Sequence, residues 1–188
     1  MKTLGIFYAT RHGHARRVAQ HVADYFRAHG FEAEVWSVLN VPDSLDLSRY
    51  AAVVVTASVH AGKHEPEMIR FVKRNLQALN AANNAFVTIT LSQAGVERAD
   101  ATEAEREKSA ADVATMTEQF IADTGWRPQR IQPVAGALRY TKYNPLLRLV
   151  MKWISKKAGG AIDTSRDYVY TDWAGLNEMA AGIADEVR

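Results

Sequence analysis

The sequence predicts an α/β fold built on a doubly wound, five-stranded parallel sheet. Three observations carry this. Five apolar, β-branched runs alternate with segments of helical periodicity, which implies right-handed βαβ units. The third run, Ala51-Ala52-Val53-Val54-Val55-Thr56-Ala57, is apolar on both faces, as a central strand of such a sheet must be. The last run contains Pro133, which an edge strand tolerates and a central strand does not. Strand order 2-1-3-4-5 satisfies all three and places a ligand crevice at the carboxyl ends of strands one and three.

Residues 4–9 (Leu-Gly-Ile-Phe-Tyr-Ala) form the first strand, and Val18, Ala19, Val22, Tyr25 and Phe26 then fall at helical spacing. Residues 32–37 alternate as a half-buried second strand. A helix is expected over 65–79, with Pro66 in its first turn and Met68, Phe71, Val72 and Leu76 on one face. Residues 85–91 are the fourth strand, and a long helix over 102–122 opens on a capping box, Thr102 to Glu105. Residues 131–137 are the fifth strand, and 173–187 the closing helix. Without repeats or linkers, the 188 residues read as one domain, 1–188.

Composition narrows the chemistry. The chain has no cysteine, which excludes disulfides, iron–sulfur clusters, thiolate metal sites and thiol nucleophiles, and fits a cytoplasmic protein. Met1-Lys2-Thr3 enters a strand directly, without the apolar core of a signal peptide. No apolar stretch approaches the roughly 18 residues of a membrane span.

The first strand turns into its helix through Thr10-Arg11-His12-Gly13-His14-Ala15. A helix start of this kind leaves backbone N–H groups unpaired at the positive end of the helix dipole, which suits a phosphate. Neither a Walker loop nor a Gly-x-Gly-x-x-Gly fingerprint is present, so a plain strand-to-helix connection remains a rival reading. The second crevice loop, Ser58-Val59-His60-Ala61-Gly62-Lys63-His64, has small residues that let a flat ring approach the backbone; the third is Leu91-Ser92-Gln93-Ala94-Gly95. Four of the six histidines (His12, His14, His60, His64) fall in or beside the first two loops. His60 and His64 are four apart, but Gly62 between them argues against a helical metal pair, and no metal is expected.

After strand five, residues 124–162 contain eight Arg and Lys and no Asp or Glu. Asn144-Pro145 starts a helix and Gly159-Gly160 stops it. Leu146, Leu147, Val150, Trp153 and Ile154 form its apolar face, and Arg148, Lys152 and Lys156 its basic one. Two readings fit this pattern: a core-packed helix with a solvated basic face, or a helix lying on an anionic membrane surface. No nucleic-acid motif accompanies the charge.

Several of these residues resemble a family. The turn Thr10-Arg11-His12-Gly13, the segment from Ala57-Ser58 to Gly62, and the series Trp126-Arg127-Pro128, Ala135-Gly136-Ala137-Leu138-Arg139-Tyr140, Met151-Lys152, Gly159-Gly160, Asp163-Thr164 and Val169-Tyr170-Thr171-Asp172-Trp173 look like the flavodoxin-fold, menaquinone-dependent protoporphyrinogen oxidases. The resemblance covers nearly the whole chain, and the C-terminal series is its specific part. It implies a flavodoxin-like fold with a basic insertion over 138–166. It also implies FMN as cofactor, oxidation of protoporphyrinogen IX to protoporphyrin IX in haem synthesis, and a quinone acceptor at the inner face of the plasma membrane. On this basis residues 10–15, 58–62 and 91–95 are expected to hold FMN. Arg139, Tyr140, Lys142, Arg148 and Lys152 are expected to meet porphyrin propionates or the membrane. Two departures from related turns stand out: Ala15 replaces a hydroxyl residue, and neither crevice loop supplies a Trp or Tyr to stack on the flavin. No general base is evident. The alternatives are a flavodoxin-like electron carrier, against which the basic insertion argues, and a flavodoxin-fold module that has lost FMN.

Overall fold

The computed structural model describes residues 1–157 and 159–188. The chain runs β1 (Thr3–Ala9), α1 (His14–Ala28), β2 (Glu32–Ser37), β3 (Ala52–His60), β4 (Lys63–His64), α2 (Pro66–Arg74), α3 (Leu76–Ala81), β5 (Asn83–Thr90), α4 (Leu91–Glu97) and α5 (Glu103–Thr124). It continues through β6 (Arg130–Ala135), β7 (Ala137–Leu138), α6 (Pro145–Lys157), β8 (Tyr168–Val169) and α7 (Trp173–Val187). The main sheet has the order β2-β1-β3-β5-β6, every neighbouring pair parallel, which is the expected doubly wound order. Pro133 lies in β6 at the edge of this path, where a missing N–H costs no ladder bond.

Alternation along the strands builds two cores. Leu4, Ile6, Val54, Val87 and Val134 pack against α1 and α7. Phe7, Val53, Val55 and Phe86 pack on the other face with Phe71, Val72 and Phe120 from α2 and α5. The long helix α5 opens on the expected box: Thr102 Oγ accepts from the Glu105 N–H, and the Glu105 carboxylate accepts from the Thr102 N–H. Asp172 caps α7 by accepting from the N–H groups of Ala174 and Gly175.

Four local expectations change. The helix expected over 65–79 divides at Asn75, whose side-chain amide donates to the Phe71 carbonyl and ends α2. The expected loop 58–62 is the end of β3 plus a two-residue turn into β4; Ala61 (φ 49°) and Gly62 (φ 78°) are both left-handed, the pattern of a type I′ hairpin. The expected loop 91–95 is helical, because Thr90 Oγ accepts from the Ser92 N–H and starts α4. The fifth main strand stops at Ala135, and Ala137-Leu138 turn away to pair antiparallel with Tyr168-Val169. That small ribbon carries a third core of Leu138, Tyr140 and Tyr143, packed against Leu147 and Met151 of α6.

Candidate functional site

At the carboxyl ends of β1, β3 and β5 lies a crevice of about 550 Å³. Its walls come from the β1–α1 turn, the β3–β4 hairpin, the start of α4, the insertion and one face of α5.

The turn is built for an anion. Thr10 Oγ accepts from the Gly13 N–H (3.0 Å) and closes the turn, and Gly13 precedes α1 with φ 83°. No side chain caps α1 and no acidic residue occupies its first turn, whereas α5 and α7 are both capped. Its first turn is therefore left without a side-chain acceptor at the positive end of the helix dipole. A Cβ placed on Gly13 would meet no atom within 4 Å, so space at the turn is open. The donor set fits a phosphate, and the crevice beyond has room for a ring.

His14 shows how the site is fixed from behind. Thr171 Oγ donates its single proton to the Ala135 carbonyl (2.8 Å), so it can only accept from Nε2–H of His14 (2.8 Å). Burial, with the Arg139 and Arg17 charges adding, holds this imidazole at about 4, so it is neutral at pH 7. Its Nδ1 is a buried acceptor with no hydrogen-bond partner in the protein.

On the opposite wall sits Glu65, 1% exposed, with Oε2 accepting from Nε of Arg11 (3.2 Å). Its Oε1 lies 3.1 Å from Nε2 of His60 and accepts from Ser58 Oγ (3.3 Å). Burial pushes this carboxyl up, but the hydrogen bonds and charges of His60 and Arg11 outweigh it and hold the group below its usual range. The His12 ring meets His60 edge-on at 5.4 Å and Tyr143 at 5.0 Å. Burial lowers the His12 pKa first, and the neighbouring His60 and Arg11 lower it further.

A flavodoxin-domain family model matches residues 5–165. The chain is 33% identical over 184 residues to a protoporphyrinogen IX dehydrogenase (quinone) of Escherichia coli K12, covering 98% of this chain and 95% of that one. It is 30% identical over 182 residues to a protein of the same name from Leishmania major, covering 95% and 73%. The chain belongs to the protoporphyrinogen IX dehydrogenase family. Among solved structures, a short-chain flavodoxin associated with a bacterial microcompartment superposes with TM-score 0.56 at 14% identity, covering all of both chains. An archaeal flavodoxin gives 0.53 at 13%, covering 98% of each, and these likenesses establish the fold.

Within this member of the dehydrogenase family, Thr10, His12, His14, Ser58, Val59, His60, Ala61, Gly62, Leu91, Ser92 and Arg139 line one crevice. Other expected site residues lie elsewhere. Ala15 is fully buried in the core beneath α1, so its missing hydroxyl removes nothing from the crevice surface. Gln93 donates to Glu97 along α4, and a side chain on Gly95 would strike Ser109 of α5, so these two serve helix packing. Tyr140 is completely buried, and its hydroxyl donates to the Ala161 carbonyl; it is a core residue of the insertion, not a contact for substrate or membrane. Arg148 turns inward, donating from Nε to the Tyr140 carbonyl and from Nη2 to that of Tyr143, so it braces the insertion. His64, listed among the crevice histidines by sequence, lies in the core between Phe86 and Phe120, bonded to Thr88. In the described residues no group of three or more His, Asp or Glu side chains is arranged to hold a metal ion.

Sequence reasoning missed two residues. Tyr143, in the insertion, supplies the aromatic that the crevice loops lack; its hydroxyl accepts from the Arg139 N–H, and its ring closes on His12. Glu65 was read only as a helix start, though its place before Pro66 was the signal available.

Proposed function

We propose that this chain is an FMN-dependent dehydrogenase that oxidises protoporphyrinogen IX to protoporphyrin IX and passes the electrons to a quinone, menaquinone in the first instance, in haem biosynthesis. One observation carries the reading: the anion-binding turn and a helix with an outward apolar face border the same crevice. Flavin, when bound, supplies the hydride chemistry, and the protein supplies position and electrostatics.

The turn closed by Thr10 and the positive end of α1 hold the FMN phosphate. The hairpin at 58–62 and the residues Leu91 and Ser92 flank the ring, with Tyr143 as the aromatic on the insertion side. Arg139, whose Nε is fixed by Asp167 (2.8 Å), and Lys142 meet the propionates of the substrate. Leu147, Met151 and Ile154 keep water from that wall.

Along α6, Leu146 (74% exposed), Leu149 (67%), Val150, Trp153 (58%) and Ile154 follow helical spacing on the outer face. Such a stripe beside exposed Lys152 and Lys156 supports peripheral attachment to an anionic membrane surface, on its cytoplasmic side, where a quinone is met. Among the described residues no helix is long and apolar enough to cross a membrane.

The test is anaerobic oxidation of protoporphyrinogen by the FMN-loaded protein, with and without a menaquinone analogue. Catalytic turnover that requires the quinone is expected. A protein that binds FMN and exchanges electrons with other donors yet leaves protoporphyrinogen unoxidised would be an electron carrier instead.

A further inference from the structure

We propose that His60, oriented by Glu65, accepts the proton that leaves the substrate at each two-electron step. This rests on the activity proposed above. Burying a carboxylate costs several kcal/mol unless it is well paired, and Glu65 is 1% exposed. An ion pair with Arg11 through Oε2 would by itself meet that need. The fold gives the other oxygen, Oε1, to the imidazole of His60, a residue of the crevice wall that is 28% exposed. Glu65 also precedes Pro66 at the start of α2, where the helix dipole favours negative charge. A carboxylate there receives Nε2–H of His60, which leaves Nδ1 unprotonated and stabilises the imidazolium once a proton arrives.

Rival bases in the crevice are less suited. Nε2 of His14 is committed to Thr171, and its Nδ1 is buried from solvent. His12 meets two aromatic edges, those of His60 and Tyr143. Asp112 lies on the exposed rim formed by α5.

The step balances. In each step one meso C–H bond breaks, and a flavin held in the crevice would take its hydrogen with the electron pair. In the first two steps one pyrrole N–H bond also breaks and its electron pair enters a new double bond of the macrocycle; in the third the proton comes from the last meso carbon, so that four meso C–H and two N–H bonds break in all, and each step's proton goes to Nδ1 of His60. The quinone, as the acceptor, would receive that hydrogen and electron pair together with the proton held on His60, and would depart as quinol. Glu65 acts through His60 and is a positioning residue.

Anaerobic stopped-flow reduction of the bound flavin by protoporphyrinogen tests this in the wild type, His60→Ala and Glu65→Gln. His60→Ala is expected to slow reduction by about 100-fold, within the usual range for a general base, while FMN affinity and half-saturation by protoporphyrinogen hold. Added imidazole should restore much of the lost rate. Glu65→Gln should slow reduction by a smaller factor without changing half-saturation. If His60→Ala loses FMN, His60→Gln, which keeps a donor toward Glu65, carries the test. Independent of turnover, ¹⁵N NMR of the flavin-free protein should find neutral His60 protonated at Nε2, with its signal displaced in Glu65→Gln. An Nδ1-protonated His60, absence of imidazole rescue, or unchanged reduction in His60→Ala overturns the proposal, as does loss of rate in Asp112→Asn with His60→Ala unaffected. A wild-type protein that protoporphyrinogen does not reduce overturns the proposed function and this inference with it. Normal wild-type reduction with an unaffected His60→Ala overturns this inference alone.

Discussion

Gly13 shows what one residue contributes to the turn. Its φ of 83° lies where a side chain is strained, although a Cβ would meet nothing within 4 Å. The penalty for Gly13→Val is therefore conformational, about 1–2 kcal/mol, with the β-branch adding to it. Because the same backbone angle shapes the proposed phosphate site, FMN affinity should fall at least tenfold in a fluorescence titration. Retention of wild-type affinity would remove the phosphate from this turn. Thr10 and Gly13 were legible because turn chemistry is local. Tyr143 was not, since it reaches His12 only after the chain has left the sheet and built a separate core.

Two buried histidines make stability depend on pH. Burial is the main cause holding both His14 and His64 at about 4, against an ordinary 6.5. As pH falls below 6.5 the unfolded chain takes up these protons and the native state does not, so acid favours unfolding. The stabilisation is complete above pH 6.5 and is lost progressively toward pH 4, by up to ~3 kcal/mol for each histidine. Thermal melts between pH 7 and 4.5 should show the decline, and His64→Gln should make it shallower. An identical slope in that variant would contradict the assignment. Its place in the second loop predicts His64 at the crevice; strand pairing with Val59 instead turns it into the aromatic core.

At the scale of elements, α6 carries the two readings its sequence left open. The inner side, Leu147 and Met151, packs on the insertion core, while Leu146, Leu149, Val150, Trp153 and Ile154 are exposed. Periodicity defined an apolar stripe but not its direction, which depends on how β7 and β8 anchor the segment. Lys152→Glu with Lys156→Glu should weaken binding to anionic vesicles, each lost cation near the surface being worth about 1 kcal/mol, and the deficit should shrink at high salt. Leu149→Asp should weaken binding at all salt concentrations, because it removes buried apolar area. FMN affinity should hold in both variants. Vesicle binding equal to the parent's at low salt in both would make α6 a packing element. The crevice segments at 58–62 and 91–95 were misread as loops for a related reason: a hairpin turn and a side-chain cap, Thr90, impose order that composition alone does not reveal.

Across the whole molecule, the sheet order was legible from apolar runs, their spacing and one proline, because a parallel sheet covered on both faces leaves few arrangements open. The insertion was legible as a basic helix but not as a crevice wall. The resulting molecule joins an uncapped helix start, a carboxylate–histidine pair and an outward apolar helix around one opening. The most direct measurement follows the visible band of flavin bound to the protein under anaerobic conditions. Protoporphyrinogen should bleach the band, with protoporphyrin formed, and a menaquinone analogue should then restore it. A band that protoporphyrinogen leaves unchanged would contradict the account.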